Sequence, residues 1–147
     1  MPTLFDPVEF GPHTLRNRIF MAPMTRGRST PEGVPTDIMV EYYRQRSSAG
    51  LIFTEATAVS AQGVGWLGAP GIFTAAQEEG WRPITKAVHD EGGKILLQIL
   101  HAGRYAYHPL SVSASSIKAP INPFRPRKLS SRGVAQTIDD FVNGKVK

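Results

Sequence analysis

The 147-residue sequence predicts an α/β fold with parallel strands, and three observations support this prediction. An apolar strand pattern occurs three times, small and polar residues follow each strand, and a helical pattern comes next. The strands are predicted at residues 17–21, Leu51–Phe53 and 94–100. A closed barrel of eight such units needs about 250 residues. The sequence therefore has the layout of an incomplete (β/α)8 TIM barrel, with about three βα units after an N-terminal hairpin, and an open sheet of three or four strands is the alternative.

The hairpin is predicted over residues 3–16, because turn-forming residues separate short apolar stretches there. The first helix is predicted over residues 37–48, since Thr36 is a favourable N-cap residue. One side of this helix carries four residues at helical spacing: Met39, Tyr42, Tyr43 and Arg46. Gly50 is expected to end the helix in a left-handed conformation.

The second helix is predicted to begin after Thr74, because Thr74 and Gln77 have the spacing of a capping box. Three apolar residues then recur at i, i+3 and i+7 and predict a buried stripe: Trp81, Ile84 and Val88. Gly92 and Gly93 are expected to terminate this helix.

The third helix is expected to follow Ser130 or Ser131, either of which is a suitable cap. Its apolar side comprises Val134, Ile138, Phe141 and Val142. The loop before it, over residues 103–129, contains a basic cluster at 125–128 that could attract phosphate or nucleic acid. No aromatic residues alternate with these basic ones as a base-stacking surface requires. We therefore expect an exposed loop and no nucleic-acid partner.

The composition excludes several classes of site. The sequence has no cysteine, so no disulfide, cysteine-ligated metal or iron–sulfur cluster is possible within these residues, and no metal site is predicted. The N-terminal residues lack the basic and apolar regions of a signal peptide. The apolar runs are too short to cross a bilayer. We expect a cytoplasmic protein with no membrane partner.

The residues after the strands are the candidates for a ligand site, because chemistry in parallel α/β folds is found at the carboxyl ends of strands. Ala22, Pro23 and Ala56 are small or rigid and allow a flat ligand to approach the backbone. Thr25 offers a hydroxyl, and Gln98 offers an amide that both donates and accepts. The alternative for Gln98 is that its amide pairs with a neighbouring backbone group in the core.

Two further polar residues allow more than one interpretation. Glu55 is either an acid or base, or an anchor that binds a loop through backbone amides, and we favour the anchor. His101 either points away from the site on a regular strand or lines its mouth if the strand has already ended.

The sequence resembles the Old Yellow Enzyme family of FMN-dependent NADH:flavin oxidoreductases over essentially its whole length. The segments that carry the resemblance are residues 4–7, 17–26, 41–43, 80–82 and 98–104. Residues 1–90 are more similar to ene-reductases, and residues 91–147 are more similar to 2,4-dienoyl-CoA reductases. In both cases the chain matches the N-terminal part of a single FMN-binding barrel domain.

The resemblance implies cofactor-binding roles for six residues. Ala22, Pro23, Met24 and Thr25 would run along the isoalloxazine ring, with the Thr25 hydroxyl near a flavin carbonyl. Ala56 would contact the same edge through its backbone, and Gln98 would pair with the pyrimidine end. No catalytic residue is assigned, because the family's proton donor and substrate-anchoring residues come from later strands.

The resemblance also implies an activity: hydride passes from NAD(P)H to FMN and then to an activated alkene, either α,β-unsaturated or dienoyl. The expected partner is a small-molecule alkene, and an exposed sheet edge could support oligomers. We expect the 147-residue chain alone to be inactive. Two alternatives remain open: a non-catalytic truncated paralogue or interaction fragment, and a different α/β barrel that binds phosphorylated metabolites at residues 125–128.

Overall fold

A computed structural model of the protein describes residues 1–145. The strands are β1 (Val8–Phe10), β2 (His13–Leu15), β3 (Phe20–Met21), β4 (Leu51–Phe53), β5 (Thr57–Ala58), β6 (Ile95–Leu96), β7 (Ile99–Leu100), β8 (Val112–Ser113) and β9 (Arg127–Lys128). The helices are α1 (Asp37–Arg44), α2 (Ala75–Asp90) and α3 (Ser131–Lys145), with short 3-10 turns at Ala61–Gly63 and Gly103–Tyr105.

The three predicted strands are parallel neighbours in one sheet, in the order β3-β4-β6. Met21 is paired with Ile52, and Ile52 is paired with Ile95. The carboxyl ends of all three strands therefore meet at one edge. β3 and β6 are the outer strands, so the sheet does not close into a barrel within the described residues. This confirms the predicted incomplete α/β barrel, and self-association through an outer strand stays a prediction.

The core lies between this sheet and the two helices that follow its strands. Met39 and Tyr43 of α1 and Trp81 and Ile84 of α2 are almost completely buried beside Ile52 of β4. Each large apolar side chain buried in this way stabilises the fold by about 1.5–3 kcal/mol. The helical spacing in the sequence thus predicted which faces of α1 and α2 pack on the sheet.

The N-terminal hairpin and the boundaries of α2 are also confirmed. β1 and β2 pair antiparallel, and Gly11 in their turn has a φ of +58°. Thr74 and Gln77 form the reciprocal capping box. Gly92 has a φ of +70° and ends the helix through a hydrogen bond from its N–H to His89 O.

The prediction for α1 is wrong in three details. The helix ends at Arg44, and hydrogen-bonded turns replace its last residues. Thr36 precedes it in an extended conformation, but its hydroxyl donates to Arg28 O instead of capping the helix. Gly50 does not have a positive φ. A glycine is required there because a Cβ atom would lie 2.1 Å from Asn17 O.

The first and third predicted strands are shorter than expected. At residues 17–19 the Asn17 side chain accepts from Ile19 N–H and donates to Ser48 O, so regular pairing starts only at Phe20. Residues 94–100 form two strands, β6 and β7, with an interruption at Leu97 and Gln98. The cause is that Gln98 N–H donates to the Thr54 side chain instead of to a strand partner.

The C-terminal third confirms the predicted cap of α3 but differs from the prediction in the burial of that helix and in the basic cluster. Ser130 is the cap of α3, since its hydroxyl oxygen accepts from Gly133 N–H. The apolar side of α3 is only partly buried: Phe141 packs against the core, whereas Val134 and Ile138 are 46% and 59% exposed. The end of the basic cluster is not a free loop, because Arg127 and Lys128 form β9 beside β8.

No helix within residues 1–145 combines the length and the apolar character needed to span a membrane.

Candidate active-site edge

Hydrogen bonds join the residues that follow β4 to those that follow β6. Thr54 N–H donates to Leu96 O at 2.9 Å, which continues the sheet by one residue. Gln98 N–H donates to Thr54 Oγ1 at 3.0 Å, and Gln98 O accepts from Thr57 N–H at 2.9 Å. Since Ala56 lies between these two threonines, the structure brings the backbones of Ala56 and Gln98 together at the carboxyl edge of the sheet.

The Gln98 side chain and the Ala56 backbone have no hydrogen-bond partners among the described residues. Gln98 is partly buried, and its side-chain amide makes no hydrogen bond within residues 1–145. The alternative interpretation from the sequence, in which the Gln98 amide pairs with a neighbouring backbone group, is therefore not observed within residues 1–145. The backbone N–H and C=O of Ala56 also have no hydrogen-bond partner there, although the residue is only 8% exposed.

The remaining four candidates lie in the exposed segment after β3. Ala22, Pro23, Met24 and Thr25 are all exposed, and the Thr25 hydroxyl makes no hydrogen bond within the described residues. Met24 is in contact with its neighbour, because Arg26 Nη1 lies 3.2 Å from Met24 Sδ. This segment is attached to the end of β4 through the residues that follow Thr25.

Glu55 forms that attachment. Its Oε2 atom accepts from the backbone N–H groups of Arg26 and Gly27 at 2.9 and 3.4 Å. Glu55 is 1% exposed, so the attachment is made in the protein interior. The sequence-based interpretation of Glu55 as a loop anchor is confirmed by these two bonds.

A tyrosine on α1 holds Glu55 in place. Tyr43 Oη accepts from Glu55 N–H at 2.8 Å and donates to Glu55 Oε1 at 3.4 Å. Burial raises the pKa of Glu55, although the N–H donors of Arg26 and Gly27 oppose this effect. Burial also raises the pKa of Tyr43, so its hydroxyl keeps its proton. Tyr43 and Glu55 can therefore hold the segment that follows β3 at a fixed distance from the segment that follows β4.

His101 stabilises a loop. Its Nδ1 accepts from Gly103 N–H at 3.1 Å, and its ring packs against Gly63, where a Cβ atom would lie 2.9 Å from the ring. Burial lowers the pKa of His101, which favours the neutral ring that this hydrogen bond requires. The side chain therefore fixes the turn that follows β7.

A cavity of about 450 Å³ lies between the loops that follow the strands. Its walls include Trp66, Phe73, Tyr107 and His108. None of the six candidate residues lines this cavity, so the candidate site at the carboxyl edge of the sheet is separate from it.

Two residues that shape this edge were not identified as such from the sequence. The helical period placed Tyr43 on the buried side of α1 but did not indicate that its hydroxyl reaches Glu55. Thr54 was recognised only as a residue after a strand, although its hydroxyl oxygen binds Gln98 N–H. No sequence signal identifies either contact, because each partner is distant along the chain.

Comparison with known proteins gives one consistent result. Residues 3–146 match the NADH:flavin oxidoreductase / NADH oxidase family. The chain is 51% identical over 106 residues to the flavin oxidoreductase hxnT of Emericella nidulans. This alignment covers 69% of this chain and 27% of that protein. It is 40% identical over 154 residues to the chanoclavine-I aldehyde reductase fgaOx3 of Penicillium roqueforti, covering 97% of this chain and 41% of that protein.

The fold comparison agrees with the sequence comparison. The structure of the old yellow enzyme homologue from Zymomonas mobilis matches with a TM-score of 0.89 and 44% sequence identity. The match covers 97% of this chain and 44% of that chain. The chain thus spans less than half the length of each of these three proteins.

Proposed function

We propose that this chain, which belongs to the NADH:flavin oxidoreductase / NADH oxidase family, is part of a single FMN-binding barrel domain of a reductase. In this proposal NAD(P)H is the reductant and a small molecule with an activated alkene is the substrate. The observation that carries the proposal is the Gln98 amide, which is partly buried at the carboxyl edge and has no partner within residues 1–145.

The residues at this edge fit one side of a planar heterocycle. The Gln98 side chain offers a donor and an acceptor in one group, neither of which is bound within residues 1–145, so a ligand with a donor and an acceptor in complementary positions can pair with it. The backbone groups of Ala56, which have no partner within residues 1–145, add a donor and an acceptor, and its side chain is a single methyl group. The Thr25 hydroxyl supplies a further donor from the neighbouring segment.

When bound, FMN supplies hydride transfer between NAD(P)H and the alkene. The residues of this chain bind and orient the ring: Gln98 and Thr25 through side-chain hydrogen bonds, and Ala56 through its backbone. Ala22, Pro23 and Met24 provide an exposed surface along the same edge. No residue of this chain is assigned as the proton donor.

We expect the 147 residues alone to show weak or absent FMN binding and no turnover. The chain spans 41% of the Penicillium roqueforti reductase, and the family resemblance implies that the substrate-anchoring and proton-donating residues come from later strands. A non-catalytic role is less consistent with a partner-free Gln98 amide at the strand ends. Stoichiometric flavin absorbance in the purified chain would contradict the expectation of weak binding.

Nuclear magnetic resonance titration tests the flavin site directly. We expect FMN, added to the nitrogen-15-labelled chain up to about 1 mM, to shift the Gln98 side-chain amide signals, since this range detects weak binding. The exposed Gln62 amide is the internal control and should not move. Adenosine monophosphate, which has a phosphate but no isoalloxazine ring, should leave Gln98 unchanged. An unshifted Gln98 signal, or an equal response to both ligands, would refute the proposal.

A further inference from the structure

A single side chain attaches the segment of residues 22–27 to the rest of the fold by hydrogen bonds. Within residues 1–145, the hydrogen bonds that leave this segment are those from the N–H groups of Arg26 and Gly27 to Glu55 Oε2. Gly27 is also in tight backbone contact with Gly68, where a Cβ atom would lie 2.6 Å from Gly27 O. The position of Thr25, which directly precedes Arg26, therefore depends on Glu55.

Glu55 is itself held at every polar atom. Its N–H and its Oε1 both bind the Tyr43 hydroxyl, and Oε2 binds the segment of residues 22–27. Its C=O accepts from the hydroxyls of Thr54 and Thr57 at 3.1 and 2.9 Å. A buried residue with all of its polar groups bound has little freedom to move, so it can act as a fixed spacer.

The same two threonines fix Gln98. Thr54 Oγ1 accepts from Gln98 N–H, and Thr57 N–H donates to Gln98 O. Glu55 lies between these threonines in the chain. It accepts a hydrogen bond from Arg26, the residue after Thr25, and its C=O accepts from Thr54 and Thr57, which both bind the Gln98 backbone. Glu55 therefore connects the two sides of the candidate edge by hydrogen bonds.

We propose that Glu55, held by Tyr43, is a positioning residue that sets the separation of Thr25 from Ala56 and Gln98, and thereby the flavin affinity of this edge. The inference rests on the proposed function. The positioning role depends on a hydrogen-bond acceptor in the Glu55 side chain and not on its negative charge. Its Oε2 atom faces two N–H donors, and its Oε1 atom faces a hydroxyl that can either donate or accept. A glutamine side chain can keep an acceptor toward Arg26 and Gly27 and donate its NH2 group to Tyr43. An alanine side chain keeps neither contact.

The test combines two measurements on the labelled full chain and its Glu55→Gln and Glu55→Ala variants. Amide hydrogen exchange without ligand reports whether the N–H groups of Arg26 and Gly27 are protected. FMN titration, followed through the Gln98 side chain, gives the dissociation constant. Because the free segment must be ordered on binding, we expect Glu55→Ala to raise this constant at least about tenfold. Glu55→Gln should stay within about twofold of the wild type, since its carbonyl oxygen keeps the hydrogen bonds from the N–H groups of Arg26 and Gly27.

The remaining outcomes separate this inference from the proposed function. If FMN shifts Gln98 in the wild type and Glu55→Ala binds FMN equally well, the positioning role is refuted and the flavin site stands. If FMN leaves Gln98 unshifted in the wild type, the proposed function fails and the inference fails with it. Should Glu55→Ala not fold, Tyr43→Phe decides: weaker FMN binding than in the Tyr42→Phe control supports the inference, and equal binding refutes it.

Discussion

Removal of the Tyr43 hydroxyl is the most informative change for the stability of the candidate edge. Tyr43 is fully buried, and its hydroxyl is the hydrogen-bond acceptor for Glu55 N–H at 2.8 Å. In Tyr43→Phe this buried amide keeps no acceptor, which costs about 1–3 kcal/mol. Loss of the longer bond to Glu55 Oε1 adds to the cost. We expect the free energy of unfolding to fall by about 2 kcal/mol, within the usual range for a broken buried network.

The adjacent tyrosine is a matched control. Tyr42 is on the same helix and partly buried, but its hydroxyl makes no hydrogen bond within residues 1–145. We expect Tyr42→Phe to change the free energy of unfolding by less than about 0.5 kcal/mol. Urea denaturation at pH 7, followed by circular dichroism with equal slopes for all three proteins, is the measurement. A difference between the two variants of less than about 0.5 kcal/mol would refute the assigned role of the Tyr43 hydroxyl.

Two further predictions concern Gly50 and the ionisation of Glu55. A Cβ atom at Gly50 would lie 2.1 Å from Asn17 O, so Gly50→Ala should lower the free energy of unfolding by about 1–3 kcal/mol or more. Urea denaturation measures this change, and an unchanged midpoint would contradict the assigned contact. Because burial raises the pKa of Glu55, which faces Tyr43 and Arg26, above its ordinary value of 4.5, the native state binds the proton more tightly than the unfolded state. Its stabilising contribution is then complete below pH 4.5 and is lost as the pH rises through the native pKa. The stability of Glu55→Gln relative to the wild type should therefore increase from pH 4.5 toward neutral pH, and a difference that does not vary with pH would show that the pKa is not raised.

The features predicted correctly depend on residues close together in the sequence. The capping box of Thr74 and Gln77 and the helix end at Gly92 are local hydrogen-bond patterns, so the sequence contains all of their partners. The parallel sheet follows from apolar runs that alternate with helical periods. The edge that carries the six candidate residues could be located for the same reason, since strand ends in a parallel sheet coincide.

The features predicted incorrectly depend on partners that are distant in the sequence. The conformation of Gly50 was misjudged because the constraint is the approach of Asn17 and not the end of a helix. The strand over residues 94–100 is interrupted because the Thr54 hydroxyl takes the place of a strand partner for Gln98 N–H. Residue type and spacing do not specify such contacts, which are determined only when the strands are assembled.

The apolar side of α3 shows a related limit of sequence patterns. Val134, Ile138 and Val142 have the spacing of a buried face, yet each is at least 46% exposed. A periodic pattern identifies which side of a helix is apolar, but it does not identify what covers that side. Within residues 1–145 the side of α3 that packs on the core carries Phe141 and the buried Gly144, which lies beside Val59 and Ile72, so the apolar pattern alone overestimated the burial of Val134, Ile138 and Val142.

The hydrogen bonds also separate two roles that residue type leaves equivalent. Glu55 and Gln98 are both polar residues just after a strand, and either could contact a ligand. All of the polar atoms of Glu55 are bound within the protein, so it has little capacity left for a ligand and acts on the structure around it. Gln98 has its backbone bound and its side-chain amide unbound within the described residues, so it is positioned by the protein and remains available to a ligand. A fixed backbone with an unpaired side chain suits a residue that recognises a ligand, and it makes the Gln98 amide the most direct probe of the proposed flavin binding.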